Sequence, residues 1–351
     1  MGFNEILIKN TVFKERITNV AGVAVVPDYT APQGTLLERL HGNPNIHEKA
    51  FGEDGRYSSF NFTRDAFNNG TWNDETIKAR GLFIDNKSNR VVARGFEKFF
   101  GYKERQFNTD EFLKQNLVYP VTAYTKYNGF LGILGYGDEG LLFCSKSTID
   151  GEFAEYFKTI FKAGGYDEEK LLKYMRENNV GLVFEVIDPV NDPHIVEYDK
   201  SEIILLDVIS LQEKWKDLPY DELVAFGKDF GFKVKEVFRE FNDWETLHEF
   251  LNQVAGDTKT RIEGYVMVDA QGYQFKLKGA WYRKWKDLRT FKQQIGNGHG
   301  IKKFSSVQSP LKIAFIGWAV KKGKDYCAER SIIQLRNEFE KEHVFTETKE
   351  D

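Results

Sequence analysis

The sequence predicts an α+β fold in which antiparallel sheets carry the polar motif residues and a small helical segment follows. Short apolar runs typical of strands alternate with patterns typical of helices, and the motifs described below lie in or beside the strand-like runs. A glycine-rich stretch over residues 295–300 predicts a loop, and an amphipathic pattern over residues 330–342 predicts a terminal helix. We therefore expect one large domain over residues 1–289 and a small, mainly helical C-terminal extension over residues 290–351.

Composition agrees with a protein of this size and organisation. The chain has 351 residues, 41% of them apolar and 30 of them phenylalanine, which suffices for one large core and a small appended domain. The sequence has no long apolar segment and no signal-peptide pattern at its start, so we expect a cytoplasmic protein without a membrane partner. Two cysteines suit a reducing compartment, and Cys144 is expected to be buried in packing.

The first half of the chain predicts strands, loops and two helices. Residues 20–51 suggest a strand and loops, and residues 56–72 form an aromatic, polar segment that we assign to the surface. A charged helix is expected over residues 110–115. Asp150 can cap a second helix, whose apolar stripe is expected in the core and consists of Phe153, Tyr156, Phe157, Ile160 and Phe161.

The second half alternates strands and helices. Strands are predicted over residues 180–187, 203–208 and 232–237, and a helix over residues 220–229. Asn242 or Asp243 can cap a further helix with a buried face made of Leu247, Phe250, Leu251 and Val254.

Lys126-Tyr127-Asn128-Gly129 is the most informative motif. It stands just before the apolar run over residues 130–134, where a lysine amine can be presented as a nucleophile. The K-x-x-G pattern alone is common, and a solvated strand end explains most such lysines. Four further motifs follow in order and make the set far more specific: Ser145-Lys146, Phe184-Glu185-Val186, Glu263-Gly264-Tyr265-Val266 and Lys276-Leu277-Lys278.

These residue types together favour phosphate chemistry. A lysine amine acts as a nucleophile only if burial or nearby cations lower its pKa, and Lys146, Lys276 and Lys278 are candidate cations. The same charges would bind a polyphosphate and stabilise charge that develops on phosphorus. Glu185 and Glu263 could hold a magnesium ion or accept hydrogen bonds from ribose hydroxyls. The set therefore indicates covalent nucleotidyl transfer.

The chain resembles the covalent nucleotidyltransferases, the ATP-dependent ligases and capping enzymes, in which these motifs occur in the same order. Two upstream segments, residues 78–85 and Ala93-Arg94-Gly95-Phe96-Glu97-Lys98-Phe99-Phe100, narrow the resemblance. They are similar to the RNA ligases of T-even phage tRNA repair and to the ligase domain of fungal and plant tRNA ligases. The resemblance extends from about residue 60 to residue 282 and implies antiparallel sheets around an ATP cleft.

The resemblance also implies roles for particular residues. Lys126 would carry AMP, assisted by Lys276 and Lys278, which would contact the α-phosphate. Glu263 would help to place Mg²⁺ or Mn²⁺. The implied ATP-binding residues are Arg80, Lys98, Gly129, Lys146, Glu185 and Glu263, with Glu185 reading the ribose and Arg80, Lys98 and Lys146 contacting the triphosphate or the released pyrophosphate.

The implied reaction joins RNA ends. An adenylate would pass from Lys126 to a 5′-phosphate on RNA, and a 3′-hydroxyl would displace AMP. Broken tRNA is the expected substrate by resemblance alone, and a separate kinase or phosphatase would heal its ends, because the six histidines show no phosphodiesterase or zinc-ligand pattern. Asn128 departs from the phage enzyme, which has aspartate at this position, and agrees with the fungal and plant enzymes. Asparagine cannot act as a carboxylate, so a carboxylate role at this position does not carry over to Asn128.

A basic segment follows the lysine pair. Residues 276–303 contain one acid, Asp287, and many cations interleaved with Trp281, Tyr282 and Trp285. Such a segment can bind RNA, with Arg283, Lys284 and Lys286 as candidates, although a solvated helix face over a core is the simpler interpretation. Net charge is only −4, so any RNA site would be a local patch.

Other interpretations compete less well. Residues 317–325 are similar to a phosphate-binding loop, but the glycine spacing is wrong and Asp325 replaces the hydroxyl needed for magnesium. A DNA ligase or capping enzyme should carry a β-barrel after Lys278, and the remaining segment is short for one. A ligase-derived RNA-binding module without catalysis should have lost Lys126 or the lysine pair.

Overall fold

The computed structural model describes residues 34–213 and 217–343. Its strands are β1 (Ile46–Phe51), β2 (Tyr57–Phe62), β3 (Leu82–Asp85), β4 (Arg90–Arg94), β5 (Phe100–Gly101), β6 (Val121–Lys126), β7 (Phe130–Gly137), β8 (Gly140–Cys144), β9 (Val180–Ile187), β10 (Glu202–Ser210), β11 (Lys233–Val234), β12 (Val237–Phe241), β13 (Gly264–Val268) and β14 (Gln274–Lys278). Its α-helices are α1 (Leu36–His41), α2 (Arg64–Asn69), α3 (Asp74–Lys78), α4 (Asp110–Asn116), α5 (Glu152–Ala163), α6 (Glu168–Asn178), α7 (Tyr220–Phe230), α8 (Trp244–Gly256), α9 (Ala280–Gly296), α10 (Pro310–Lys322), α11 (Lys324–Glu329) and α12 (Ile332–Glu342).

In the described part of the chain the strands form three sheets, which are almost entirely antiparallel. Sheet I has the order β1-β2-β3-β4, sheet II the order β12-β6-β13-β14-β5 and sheet III the order β11-β10-β9-β7-β8. Among the described strands, only the short edge strands β5 and β11 pair in parallel with their neighbours. The predicted α+β class with antiparallel sheets is confirmed.

Sheets I and III pack against each other and against helices α5, α6 and α7 around the main core. At Gly135 in β7 an added Cβ would lie 2.0 Å from the Val92 carbonyl oxygen in β4, so glycine allows the two sheets to approach. Phe157 and Phe161 from α5 are fully buried in this core, as predicted, whereas Phe153 is 41% exposed. Asp150 does not cap α5. The N-cap is Gly151, which has no side chain to make a capping hydrogen bond.

Sheet II has a second core with helices α4 and α8. Asp243 caps α8 by accepting a hydrogen bond from the Thr246 backbone N–H. The predicted face of α8, made of Leu247, Phe250, Leu251 and Val254, is buried against β13 and β14.

Some local predictions differ from the structure. The strand expected over residues 232–237 is two short strands, β11 and β12, which belong to different sheets. The segment expected as strand and loops over residues 20–51 contains helix α1, and its part before residue 34 lies outside the described residues. Within the described residues, the helices include none that is both long and apolar enough to span a membrane. Cys144 is buried, as expected.

The C-terminal helices form a third core. Residues from α9, α10, α11 and α12, with Ile195 from the loop after β9, make one buried cluster. Helix α9 runs unbroken through residue 289 to Gly296, so the loop predicted at residue 295 begins after that helix. Since its buried residues from Trp281 onward belong to this cluster, we propose that the helical unit begins with α9 rather than at residue 290.

Residues 317–325, set aside as a phosphate-binding loop, belong to this unit. They are occupied mainly by α10 and the start of α11, and Gly317 lies within α10. The rejection of a phosphate-binding loop is consistent with this helical structure.

Phe315 tests whether this third core contributes to stability. Phe315 in α10 is fully buried and contacts the rings of Trp285, Trp318 and Phe339. We expect Phe315→Ala to lower the free energy of unfolding by about 3–5 kcal/mol, because it leaves a cavity among aromatic rings. Chemical denaturation measures the change. Ile313→Ala on the same helix is the control, since Ile313 is 50% exposed and should cost little; equal losses for both variants would contradict the assignment.

Candidate active site

The predicted nucleophile lies at the end of a sheet strand, beside the lysine pair. Lys126 is the last residue of β6 and pairs across the sheet with Gly264 of β13, which in turn pairs with Lys278 of β14. Gly264 has a φ of 139°, and an added Cβ would lie 1.9 Å from the Leu277 carbonyl oxygen. Only glycine fits there, and the preceding residue, Glu263, then reaches both lysines.

Glu263 is the centre of the charge arrangement. Its Oε1 lies 3.1 Å from Lys126 Nζ and 3.0 Å from Lys278 Nζ, and the residue is 3% exposed. Burial alone would raise the pKa of this carboxyl, but the two ammonium groups outweigh burial and hold the pKa at about 2. Glu263 is therefore ionised at any ordinary pH.

Lys126 is protonated in this arrangement. Burial favours the neutral amine, yet the carboxylates of Glu263 and Glu185 outweigh burial and raise the pKa of Lys126 above its ordinary value. In the ligand-free protein the carboxylates outweigh the nearby positive charge as well, so a lowering of the Lys126 pKa by Lys276 or Lys278 stays a prediction. Lys126 can act as a nucleophile only after it loses a proton, which requires its ion pair with Glu263 to be weakened.

Residue 129 of the K-x-x-G motif must be glycine because it lies against the backbone of β9. An added Cβ at residue 129 would lie 2.0 Å from the Val186 carbonyl oxygen of β9, so the chain passes as close to β9 as a backbone can. The Gly129 N–H donates to Glu185 Oε1 at 2.8 Å. Burial raises the pKa of Glu185, and Glu263 adds to this effect while Lys126 opposes it.

The other predicted cations gather on one side of Lys126. Strand β5 pairs with β14 so that Phe100 faces Phe275 and Gly101 faces Lys276, which brings the segment around Lys98 beside the lysine strand. Burial lowers the pKa of Lys276 well below its ordinary value, and the charges of Arg80 and Lys98 lower it further. The cations are thus close enough to interact.

Lys98 and Lys146 are held partly by aromatic rings. Lys98 Nζ lies 3.9 Å from the centre of the Phe100 ring and donates to the Phe99 carbonyl oxygen at 3.1 Å. Burial lowers its pKa to about 8. Lys146 Nζ lies 5.5 Å from the Phe62 ring centre, and burial, with Arg80, lowers its pKa. Nearby negative charge does not offset the burial of these two ammonium groups, so a bound polyanion would stabilise their charged forms.

A pocket lies between sheets II and III at this point. Its apolar and aromatic lining comes from both sheets and from the segment before β5, and consists of Phe96, Phe99, Leu131, Leu206, Val266 and Val268. Arg80, Lys126, Glu185 and Lys276 line the polar part, together with Lys235. An apolar lining beside clustered cations suits a base joined to phosphates.

Three residues at the site were missed by sequence reasoning or given another place. Asn128 donates from Nδ2 to Glu263 Oε2 at 2.9 Å and to the Tyr282 hydroxyl at 3.3 Å, and its backbone N–H donates to the Tyr198 hydroxyl at 2.8 Å. Tyr282 belonged to the basic segment in the sequence interpretation. Lys278 ends β14 and Tyr282 lies on α9, so no single sequence period relates the two residues.

The basic segment is a helix over a core, as the simpler interpretation held. Trp281, Tyr282 and Trp285 are buried, so these rings are not a platform for bases. Lys284 is 6% exposed, and the structure does not place it on a surface that RNA could reach. Arg283 and Lys286 are exposed on α9, and Arg283 donates to the Ala255 carbonyl oxygen at 2.6 Å.

The described residues contain no group of three or more histidine, cysteine or acidic side chains suited to hold a metal ion. Glu263 as a metal ligand stays a prediction, since both ammonium groups share its Oε1. Magnesium commonly needs only one or two protein carboxylates when phosphates supply the other ligands. Glu185 and Glu263 are the carboxylates that fit this pattern.

Comparison with known proteins identifies the family. The family model described as RNA ligase matches residues 78–282, more than half of the chain. The chain therefore belongs to the RNA ligase family. It is 28% identical to the tRNA ligase of Candida albicans over 64% of this chain and 32% of that protein. It is 24% identical to tRNA ligase 1 of Schizosaccharomyces pombe over 74% of this chain and 38% of that protein, so it spans about a third of these relatives.

Solved structures agree on the fold. An archaeal ATP-dependent RNA ligase is similar with a TM-score of 0.52 and 15% identity, covering 86% of this chain and 77% of that chain. A putative ATP-dependent DNA ligase from Aquifex aeolicus is similar with a TM-score of 0.51 and 15% identity, covering 87% of this chain and 74% of that chain. The fold is that of the covalent nucleotidyltransferase ligases.

The ion pair gives a direct prediction about protonation. We expect Glu263→Gln to lower the pKa of Lys126, because the carboxylate is the largest influence that raises it. The pH dependence of Lys126 modification by an amine-reactive reagent, located by mass spectrometry, measures this pKa. Glu104→Gln is the matched control, because Glu104 Oε1 lies 3.9 Å from Lys98 Nζ and raises the pKa of Lys98 instead. An unchanged Lys126 profile in Glu263→Gln would show that the ion pair does not set its protonation.

Proposed function

We propose that this chain is an ATP-dependent RNA ligase that works through AMP bound to Lys126. The observation that carries the proposal is the position of Lys126, at the edge of a pocket with an apolar wall and the cations Arg80 and Lys276. A nucleotide that fills the pocket would bring its α-phosphate to the lysine. Membership of the RNA ligase family supports RNA as the class of substrate.

The first step would form the protein–AMP bond. Lys126, once deprotonated, attacks the α-phosphorus of ATP with its nitrogen lone pair. The bond from this phosphorus to the bridging oxygen breaks, and pyrophosphate leaves with the electron pair. Arg80, Lys98 and Lys146 would bind the outgoing phosphates, while Lys276 and Lys278 would stabilise charge on the α-phosphate.

Lys278 helps to free Lys126. Both ammonium groups share one carboxylate oxygen of Glu263, so Lys278 weakens the ion pair between Glu263 and Lys126 and makes the Lys126 proton easier to lose. That proton would pass to solvent as the amine attacks. Glu185, which accepts from the Gly129 N–H, would accept a ribose hydroxyl through its other oxygen.

Two further steps would seal RNA. An oxygen of the RNA 5′-phosphate attacks the phosphorus of Lys126-AMP, the P–N bond breaks, and the lysine regains a proton. The 3′-hydroxyl then attacks the 5′-phosphate, loses its proton, and AMP leaves. A divalent cation, Mg²⁺ or Mn²⁺, would enter with the phosphates and offset their charge, with Glu185 and Glu263 as the nearby carboxylates.

Broken tRNA is the substrate that we propose, on the strength of the two tRNA ligases to which the chain is similar. A separate kinase or phosphatase that prepares the RNA ends belongs to the same proposal. Arg283 and Lys286 on α9 are the candidate RNA contacts of the basic segment.

Labelled ATP tests the proposal. We expect purified protein, incubated with ATP labelled on its α-phosphate and with magnesium, to retain label after denaturation, whereas Lys126→Ala retains none. Lys173→Ala is the control, because Lys173 is 76% exposed on α6 and should label like the wild type. RNA and DNA with matched nicks and ends then decide the substrate. A wild type free of bound AMP that takes up no label would contradict the proposal, and sealing of DNA alone would favour a DNA ligase.

The lysine pair gives a prediction about pH. We expect Lys278→Ala to raise the pH at which AMP transfer is half-maximal, because Glu263 then pairs with Lys126 alone and raises its pKa further. Lys276→Ala should instead lower the maximal rate with little change in this pH, because Lys278 rather than Lys276 shares the Glu263 carboxylate with Lys126. The rate of AMP transfer at saturating ATP over a pH series distinguishes the two. A midpoint that does not move in Lys278→Ala would leave only phosphate binding to that lysine.

A further inference from the structure

The Asn128 amide is held from both sides, which fixes its orientation. Its Oδ1 accepts from the backbone N–H groups of Ile195 and Val196 at 2.9 and 3.0 Å. Because an N–H group cannot bond to another donor, Nδ2 must face Glu263 Oε2. Asn128 is 3% exposed, so water does not substitute for these contacts.

The loop that holds Asn128 is itself held by the C-terminal helices. Ile195 is buried in the cluster of α9, α10, α11 and α12. Its carbonyl oxygen accepts from Arg336 Nη1 of α12 at 2.6 Å, and Arg336 Nη2 lies 3.0 Å from Glu197 Oε1 on the same loop. The loop between β9 and β10 is therefore fixed to α12 at two points.

Arg336 is unusual in its setting. It is 1% exposed, and its guanidinium carbon lies 5.1 Å from the Trp281 ring centre and 5.7 Å from that of Trp285. Burial of such a charge is costly, and the Ile195 carbonyl oxygen and the Glu197 carboxylate offset part of the cost, while Nε and Nη2 make no hydrogen bond within the described residues. Lysine could reach one of these acceptors but could not reproduce the fork.

These contacts form one continuous path from α12 to Lys126. Arg336 holds the Ile195 backbone, the Ile195 N–H holds Asn128, and Asn128 holds the Glu263 oxygen that the lysines do not use. We propose that Asn128 and Arg336 are positioning residues for AMP transfer, so that the C-terminal helical unit completes the site around Lys126. This inference rests on the proposed function and adds a role for the unit at the first chemical step.

The path also explains why asparagine rather than aspartate suits this chain. An aspartate at residue 128 would keep one oxygen on the Ile195 and Val196 N–H groups and turn the other towards Glu263, 2.9 Å away. Two carboxylates at that distance must share a proton or repel each other. The site therefore requires a donor at this position.

Asn128→Asp tests the inference without changing the size of the side chain. At mildly acidic pH the two carboxylates can share a proton, and AMP transfer should approach the wild-type rate. As pH rises the shared proton is lost, the extra negative charge raises the pKa of Lys126, and the variant should fall at least about tenfold behind the wild type. A ratio of rates that does not change with pH would overturn the inference.

Arg336 is tested by the rate constant of a single turnover at saturating ATP. The amplitude of label counts folded molecules, whereas the rate constant reports how Lys126 and Glu263 are held. We expect Arg336→Met to lower this rate constant about tenfold or more, with Arg336→Lys in between. Arg330→Met is the control in the same helical unit, because Arg330 contacts Tyr326 and Glu338 and lies outside the path.

The outcomes separate the two proposals. A wild type that takes no label refutes the ligase function. A wild type that labels normally, with Arg336→Met as fast as Arg330→Met, overturns the positioning role and leaves the ligase function standing. If Arg336→Met does not fold, the isosteric Asn128→Asp decides by its pH dependence alone.

Discussion

The site depends on one buried carboxylate that is shared by two ammonium groups. Glu263 compensates Lys126 and Lys278 with a single oxygen, so the local charge is not balanced. An arrangement with one positive charge in excess is stable only because other carboxylates and rings lie nearby, and it favours an incoming anion. The protein in its ligand-free form therefore stores the nucleophile as an ammonium and leaves the excess positive charge for phosphates.

The backbone makes this carboxylate possible. At Gly264 and Gly129 an added Cβ would lie 1.9 and 2.0 Å from a carbonyl oxygen, much closer than van der Waals contact allows. These approaches bring Glu263 between two lysines and the loop after Lys126 against β9. The register of sheet II brings the two lysines to either side of Glu263, since Lys126, Gly264 and Lys278 are paired in that order across β6, β13 and β14.

Sequence reasoning succeeded where a local pattern determines the structure. The strands at Val180–Ile187 and Gln274–Lys278, helix α8 with its Asp243 cap, and the α+β class follow from periodicity and capping, which act over a few residues. The contacts of Asn128 with Ile195 and of Ile195 with Arg336 span 67 and 141 residues, so no local pattern reports them. The raised pKa of Lys126 was missed for a related reason, because the balance between carboxylates and cations depends on distances that spacing in the chain does not give.

The three residues between β6 and β7 carry the chain from sheet II to sheet III. The pocket walls likewise come from both sheets, with Lys276 on one and Glu185 on the other. A ligand that binds there joins two otherwise separate layers, and by mass action its affinity adds to the free energy that holds them together. A bound nucleotide would thus link the two sheets non-covalently. The melting temperature of the protein would rise with the fraction of molecules that have nucleotide in the pocket.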